Sequence, residues 1–244
     1  MCGRFVVAKT VSDLVTIFEA DEVVGELHLP SFNIAPTQLV PMIVDRSFEK
    51  DENGAPIGEL SRELHSARWG LVPRWSKGPN EGAPLFNARI ETITEKPSFK
   101  DAVIRRRTVI PASGYYEWQV AADGSKTPIY INAGTDGMFA FAGLYEWWAD
   151  PSTAANAKDR WLLSVTIVTK DSAPTLAHIH DRNPVLLSPD TFEEWLDPNV
   201  EVSADLLEAI SQDSDRVAAE AEFYEVSAEV GKVSVNSADL IRAV

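Results

Sequence analysis

Cysteine is nearly absent: one stands among 244 residues, so no disulfide can close within the chain. That cysteine and four histidines offer no pair at metal-ligand spacing, which leaves neither a structural zinc site nor any other metal or cofactor to expect. No run approaches the roughly 18 apolar residues of a membrane span, and the N-terminus lacks the basic and apolar regions of a signal peptide. The expectation is a cytoplasmic protein with no membrane partner. Basic residues are also few, 22 against 37 acidic for a formal charge of -15, which on its face counts against binding a polyanion. What is present, 45% hydrophobic and 24% charged side chains, is the composition of a folded globular protein, and it excludes a disordered chain.

The charge is uneven. From Thr191 onward three basic residues face thirteen acidic ones, so the acidity belongs mainly to residues 191–244. Between Asp51 and Val120 ten basic residues meet nine acidic, including Arg105, Arg106 and Arg107 with Arg68, Arg74 and Arg89, and a locally positive face is expected there.

The single cysteine is Cys2. Initiator methionine is normally removed before a small second residue, so the mature chain is expected to begin with a cysteine carrying a free α-amine beside a thiol. Reference pKa values of about 7.7–8.0 and about 8.5 make both nucleophiles available near neutrality. With an aldehyde, the amine forms a Schiff base and the sulfur closes on it as a five-membered thiazolidine. Attack of the thiol on an acyl carbon is a second chemistry, and an incidental residue at a loose terminus is the bland alternative.

Pattern reading gives a mixed chain. Ser12 is read as the cap of a helix carrying Leu14, Ile17 and Phe18 on one face. Strands are expected at 40–44, 108–111, 115–120, 128–132, 138–145, 161–168 and 223–226, helices at 99–105, 189–195 and 204–212, and a turn or long loop over 48–63. Neither a repeat nor a linker divides the chain, and strands do not alternate regularly with helices. The expected fold is one α+β domain over 1–244, with a curved, barrel-like, mostly antiparallel sheet flanked by short helices.

Four segments stand apart. MCGRF joins Cys2 to Gly3, which permits close backbone approach, and to Arg4, a candidate phosphate ligand. RWGLVPRW with FNARIET brings Asn87, Arg89 and Glu91 onto one face if extended, near Trp69 and Trp75. IPASGYYEW sets Glu117 among aromatic residues, where burial raises a carboxyl toward neutrality and suits it to acid–base work. HIHDRNP places His180 two residues before Arg182, a proton shuttle beside an anion holder.

These segments, with NIAP at 33–36, VS at 226–227 and VGKV at 230–233, occur in the order that resembles the SOS response-associated peptidase family, over nearly the whole chain. Thr108 stands where that pattern often has cysteine, and Asn183 where it has methionine or a basic residue. The resemblance implies a sensor and shield of abasic sites in single-stranded DNA. Cys2 would form the thiazolidine crosslink, Asn87 orient its amine, Glu117 move protons and assist release of Met1, and His180 assist sugar ring opening. Arg4, Arg89 and Arg182 would bind phosphates, Trp75 and Pro36 would meet bases, and Asn33 and Trp69 join the DNA-contacting set. The implied protein acts as a monomer, on the nucleoid when bound to DNA and near the replication machinery.

Two other classes share part of this pattern. Class II glutamine amidotransferases also begin Met-Cys-Gly and use the thiol on an amide. A non-catalytic single-strand-binding module would need the arginines and aromatics and leave Cys2 incidental.

Overall fold

The computed structural model describes residues 2–47, 49–52 and 56–244. Its centre is a ring of strands. Trp161–Asp171 pairs with Phe139–Ala149, which pairs with Arg107–Ala112, then Leu39–Arg46, then Ser61–Trp69. Ser61–Trp69 returns in parallel to Trp161–Asp171 through Arg68 to Ser164 and Trp69 to Val165, closing the barrel. Closure leaves these strands buried, and the sequence agrees: SVTIVTK within Trp161–Asp171 is a run of β-branched residues rather than an alternation. The fold is therefore α+β with a barrel-like, mostly antiparallel sheet and short helices around it.

A second, five-stranded sheet packs beside the barrel in the order Glu222–Glu225, Lys126–Asn132, Gly114–Val120, Phe5–Val7, Ser31–Ile34. Its residues alternate as a pleat requires. Phe5, Val7, Tyr115, Ile129 and Ile131 join the main core, whereas Val6, Tyr116, Tyr130 and Val226 form a smaller core on the outer face. That outer face is closed by Val230 and Leu240 from the C-terminal segment, so part of the acidic stretch is a lid on a sheet. Gly114 is required where the sheet begins its long hairpin: a Cβ there would lie 2.5 Å from the Ile131 carbonyl oxygen and 2.6 Å from the Tyr130 ring.

Local expectations were corrected in three places. The first helix, Val11–Ile17, is capped by Thr10 and not Ser12, because Thr10 and Asp13 exchange side-chain and backbone hydrogen bonds in a capping box. The expected 48–63 loop ends early. Ser61–Trp69 is a strand with Glu63 buried against His65 at 2.6 Å, a polar pair inside a long-range ladder that pattern reading takes for solvent-facing; Phe48 and residues 53–55 lie outside the described residues. The helix expected at 204–212 continues as Ala204–Ala219, where Ser214 is buried and its hydroxyl accepts the Leu186 amide at 2.9 Å. Among the described residues no helix is long and apolar enough to cross a membrane.

Candidate active site and nucleic-acid interface

Cys2 is fully buried and belongs to the main core, immediately before the Phe5–Val7 strand. The antiparallel register sets Phe5 against Tyr115, and the Tyr116 amide donates to the Arg4 carbonyl at 2.9 Å, so the N-terminal segment is stitched along the strand carrying Glu117. From the other side, strand Asn87–Arg89 pairs in parallel with Trp161–Asp171, placing Asn87 opposite Ile167. Asn87 Nδ2 donates to the Cys2 carbonyl at 2.7 Å, while its Oδ1 is buried with no hydrogen-bond partner among the described residues. An acceptor left over beside the backbone of residue 2 fits an N–H donor such as an α-amine.

Glu117 is 4% exposed, and His180 Nε2 stands 3.8 Å from its Oε2. Burial pushes the Glu117 carboxyl above its ordinary value, opposed by the nearby His180. Burial, and then the Glu117 charge, push the Cys2 thiol far up. The reference value therefore does not describe this sulfur, whose burial disfavours the thiolate. His180 Nδ1 lies 3.0 Å from the Arg182 amide, which donates to it, and 2.8 Å from exposed Asp181 Oδ1. One nitrogen cannot accept from the amide and donate to the carboxylate at once. With the amide donating to Nδ1, the ring carries its proton on Nε2, toward Glu117.

Sequence reading passed over Tyr115. It is fully buried on the Glu117 face of the strand, with its hydroxyl lacking a hydrogen-bond partner. Burial, with Cys2 and Glu117 nearby, holds the phenol well above its usual range. The two-residue spacing from Glu117 was the available signal. Glu117 and His180 also line a depression of about 470 Å³ together with Trp118, Val120, Lys126 and Gly231. Among the described residues no cluster of three His, Cys, Asp or Glu side chains could hold a metal ion.

Residues 1–233 match the model of the family described as SOS response associated peptidase. The chain belongs to the SOS response-associated peptidase family. It is 36% identical over 245 residues to "Abasic site processing protein YoqW" of Bacillus subtilis, covering both chains completely. It is 30% identical to "Abasic site processing protein HMCES" of Xenopus tropicalis over 71% of this chain and 55% of that one. A solved structure from Bacteroides thetaiotaomicron covers both chains completely with a TM-score of 0.77 at 20% identity, a likeness of fold. A phage-related protein of Bordetella bronchiseptica matches with a TM-score of 0.61 at 27% identity, over 92% of this chain and 94% of that one.

The family motifs split when placed in the structure. Cys2, Asn87, Glu117 and His180 come together as described. Trp75 is 68% exposed at the tip of a turn closed by the Ser76 amide on the Pro73 carbonyl, and Pro36 is half-buried on a neighbouring loop. Arg89 is exposed and makes no ion pair among the described residues.

The other DNA-contact candidates are built into the protein. Trp69 is fully buried, edge-on to Phe5 at 5.1 Å, with its indole N–H donating to the Phe86 carbonyl, so no face remains for a base. Arg182 is buried; it grips Glu91 with both terminal nitrogens at 3.0 and 2.9 Å, and also binds Asp171 and the Thr169 carbonyl. Glu91 lies in a 3-10 turn after the strand, which removes it from the extended face expected with Asn87 and Arg89. Asn33 is 2% exposed and donates to the carbonyls of Val230, Lys232 and Val235. Arg4 donates to Asn33 Oδ1 and to the Val230 carbonyl, both at 2.7 Å, holding the same C-terminal segment.

The expected basic face also shrinks. Arg74 and Arg106 both pair with buried Glu146, and Arg107 is buried on carbonyls that include those of Val103 and Trp195. The two departures from the family pattern are satisfied in place: Thr108 donates to the Ile43 carbonyl, and Asn183 takes the Ala173 amide and donates to the Pro184 carbonyl.

Proposed function

We propose that this chain, once Met1 is removed, captures the open-chain aldehyde of an abasic site in single-stranded DNA through Cys2. Met1 lies outside the described residues, and its removal is part of the proposal. The supporting observation is the placement of residue 2 itself: its carbonyl is held by Asn87, with the Glu117–His180 pair on its other side. The names of the relatives, abasic site processing proteins, point to the same substrate.

In the proposed reaction, Asn87 Oδ1 accepts an N–H of the new α-amine and directs its lone pair at the aldehyde carbon. The amine adds, and water leaves with a proton supplied by Glu117, whose raised carboxyl keeps an acidic form closer to neutrality. The neutral Cys2 thiol then adds to the imine carbon, its proton returning to the Glu117 carboxylate. The net change is loss of one water and closure of a thiazolidine. His180, with its proton on Nε2, assists opening of the sugar ring. Glu117 also serves in release of Met1, the peptidase step. The glutaminase reading shares the Met-Cys-Gly opening, but family membership separates the chain from it.

The deciding experiment is incubation of the purified chain with a single-stranded oligonucleotide carrying one abasic site. A denaturant-resistant adduct of mass equal to protein plus DNA minus water is expected, absent in Cys2→Ala. No adduct from a preparation shown by intact mass to lack Met1 removes the proposal.

A further inference from the structure

The arginines nearest the site are occupied. Arg182 is enclosed by Glu91 and Asp171, and Arg4 is spent on Asn33 and the C-terminal carbonyls. Yet a DNA strand whose sugar reaches Cys2 must bring phosphates over the depression above Glu117 and His180. The acids there oppose it: Glu117 lines the depression, and Asp181 beside His180 is 85% exposed. Arg4, bonded to the Gly231 carbonyl at the edge of the depression, keeps its charge but has its donors taken, so a cation with free donors on the rim favours the approach of a phosphodiester.

One lysine stands on that rim. Lys126 begins the strand Lys126–Asn132 and pairs in register with Val120 across the hairpin that carries Glu117. It is exposed, lines the depression with Glu117 and His180, and makes no ion pair among the described residues. By contrast Lys9, Lys170 and Lys232 are each held by a carboxylate, of Asp136, Asp215 and Glu229. Three strand positions separate Lys126 from Ile129, the register partner of Glu117, a rise of roughly 10 Å along the strand. Lys126 therefore starts from the face of Val120, opposite to Glu117 in the pleat, and at the strand end its flexible stem reaches the depression that both line.

We propose that Lys126 binds a backbone phosphate of the strand beside the captured sugar, the cationic contact on the Glu117 side of the site as Arg89 is on the Asn87 side. This rests on the DNA reading above and adds a contact that reading does not contain. As a point charge with three rotatable donors, a lysine there holds phosphate without base preference.

The test measures equilibrium binding of a single-stranded abasic oligonucleotide to the full chain across a salt series, in a Cys2→Ala background so that no crosslink forms. Lys126→Met is expected to weaken binding equally for all sequences and to reduce the slope of log affinity against log salt by roughly 0.7, the loss of one phosphate contact on a single strand. Lys126→Glu should weaken it further, and Lys9→Met should leave the slope unchanged. An unaltered slope in Lys126→Met overturns the proposal, as does an equal fall in Lys9→Met, which would mark general field and not a contact. Failure of the parent chain to bind, with no adduct from the chain bearing Cys2, is a different result: it removes the DNA reading itself.

Discussion

On the outer face of the small sheet three polar side chains have partners: the Tyr116 hydroxyl donates to Phe32, Tyr224 to Ile241, and Asn33 to three carbonyls. On the inner face, one residue along the same strand, the Tyr115 hydroxyl has none among the described residues, and neither has Asn87 Oδ1. Both faces are dry and aromatic. The contrast is between side chains that tie the C-terminal segment onto the sheet, which are satisfied by it, and side chains facing residue 2, which keep hydrogen-bonding capacity at a cost in stability. It also sorts motifs that sequence similarity treats alike, since Arg4 and Asn33 belong to the satisfied outer face whereas Asn87 and Glu117 lie on the side of residue 2.

That division can be broken most sharply at Glu117. Glu117→Gln should slow adduct formation by about a hundredfold or more, the usual worth of a positioned acid–base group, in single-turnover assays on abasic DNA; a rate near wild type sinks its assignment. The same variant should gain stability. Because burial raises the folded-state pKa of Glu117, ionising it costs stability as pH rises above the ordinary carboxyl range and through the raised value. Glu117→Gln should therefore match the wild type in acid and exceed it in thermal midpoint at pH 8. A gain largest at pH 4 contradicts that sign.

Next comes Arg182. If it is a clamp, Arg182→Ala should lower unfolding free energy by about 1–3 kcal/mol through the orphaned Thr169 carbonyl and the broken ion pairs, while the salt slope of DNA binding stays as it was. Arg89→Ala should do the reverse, leaving stability unchanged and reducing the slope by roughly 0.7. Should Arg182→Ala flatten the slope while denaturation is unaffected, the assignment of the two arginines must be exchanged.

The smallest contrast is the cleanest. Tyr116→Phe removes a satisfied hydroxyl and should cost about 1 kcal/mol. Tyr115→Phe removes an unsatisfied one and should be neutral or stabilising by urea denaturation. Equal losses in the two variants mean that the inner hydroxyl is not waiting for anything.

Much of this molecule was legible in its sequence, and the reasons are local. Runs such as SVTIVTK and the alternation through GYYEW declare strands, and Ser188-Pro189 declares a helix start. The family followed from the order of short motifs. What tertiary structure decided was partnership. Whether an arginine meets a phosphate or a glutamate depends on which strands the barrel closure brings together: Glu91 and Arg182 are 91 residues apart, and Arg4 and Val230 are 226 apart. The acidity read first as an argument against DNA shows the same limit. Composition places it in residues 191–244, yet only the fold shows that the helices Pro189–Leu196 and Ala204–Ala219 pack on the main core while the last part of the stretch closes the outer sheet face, held by Arg4 and Asn33.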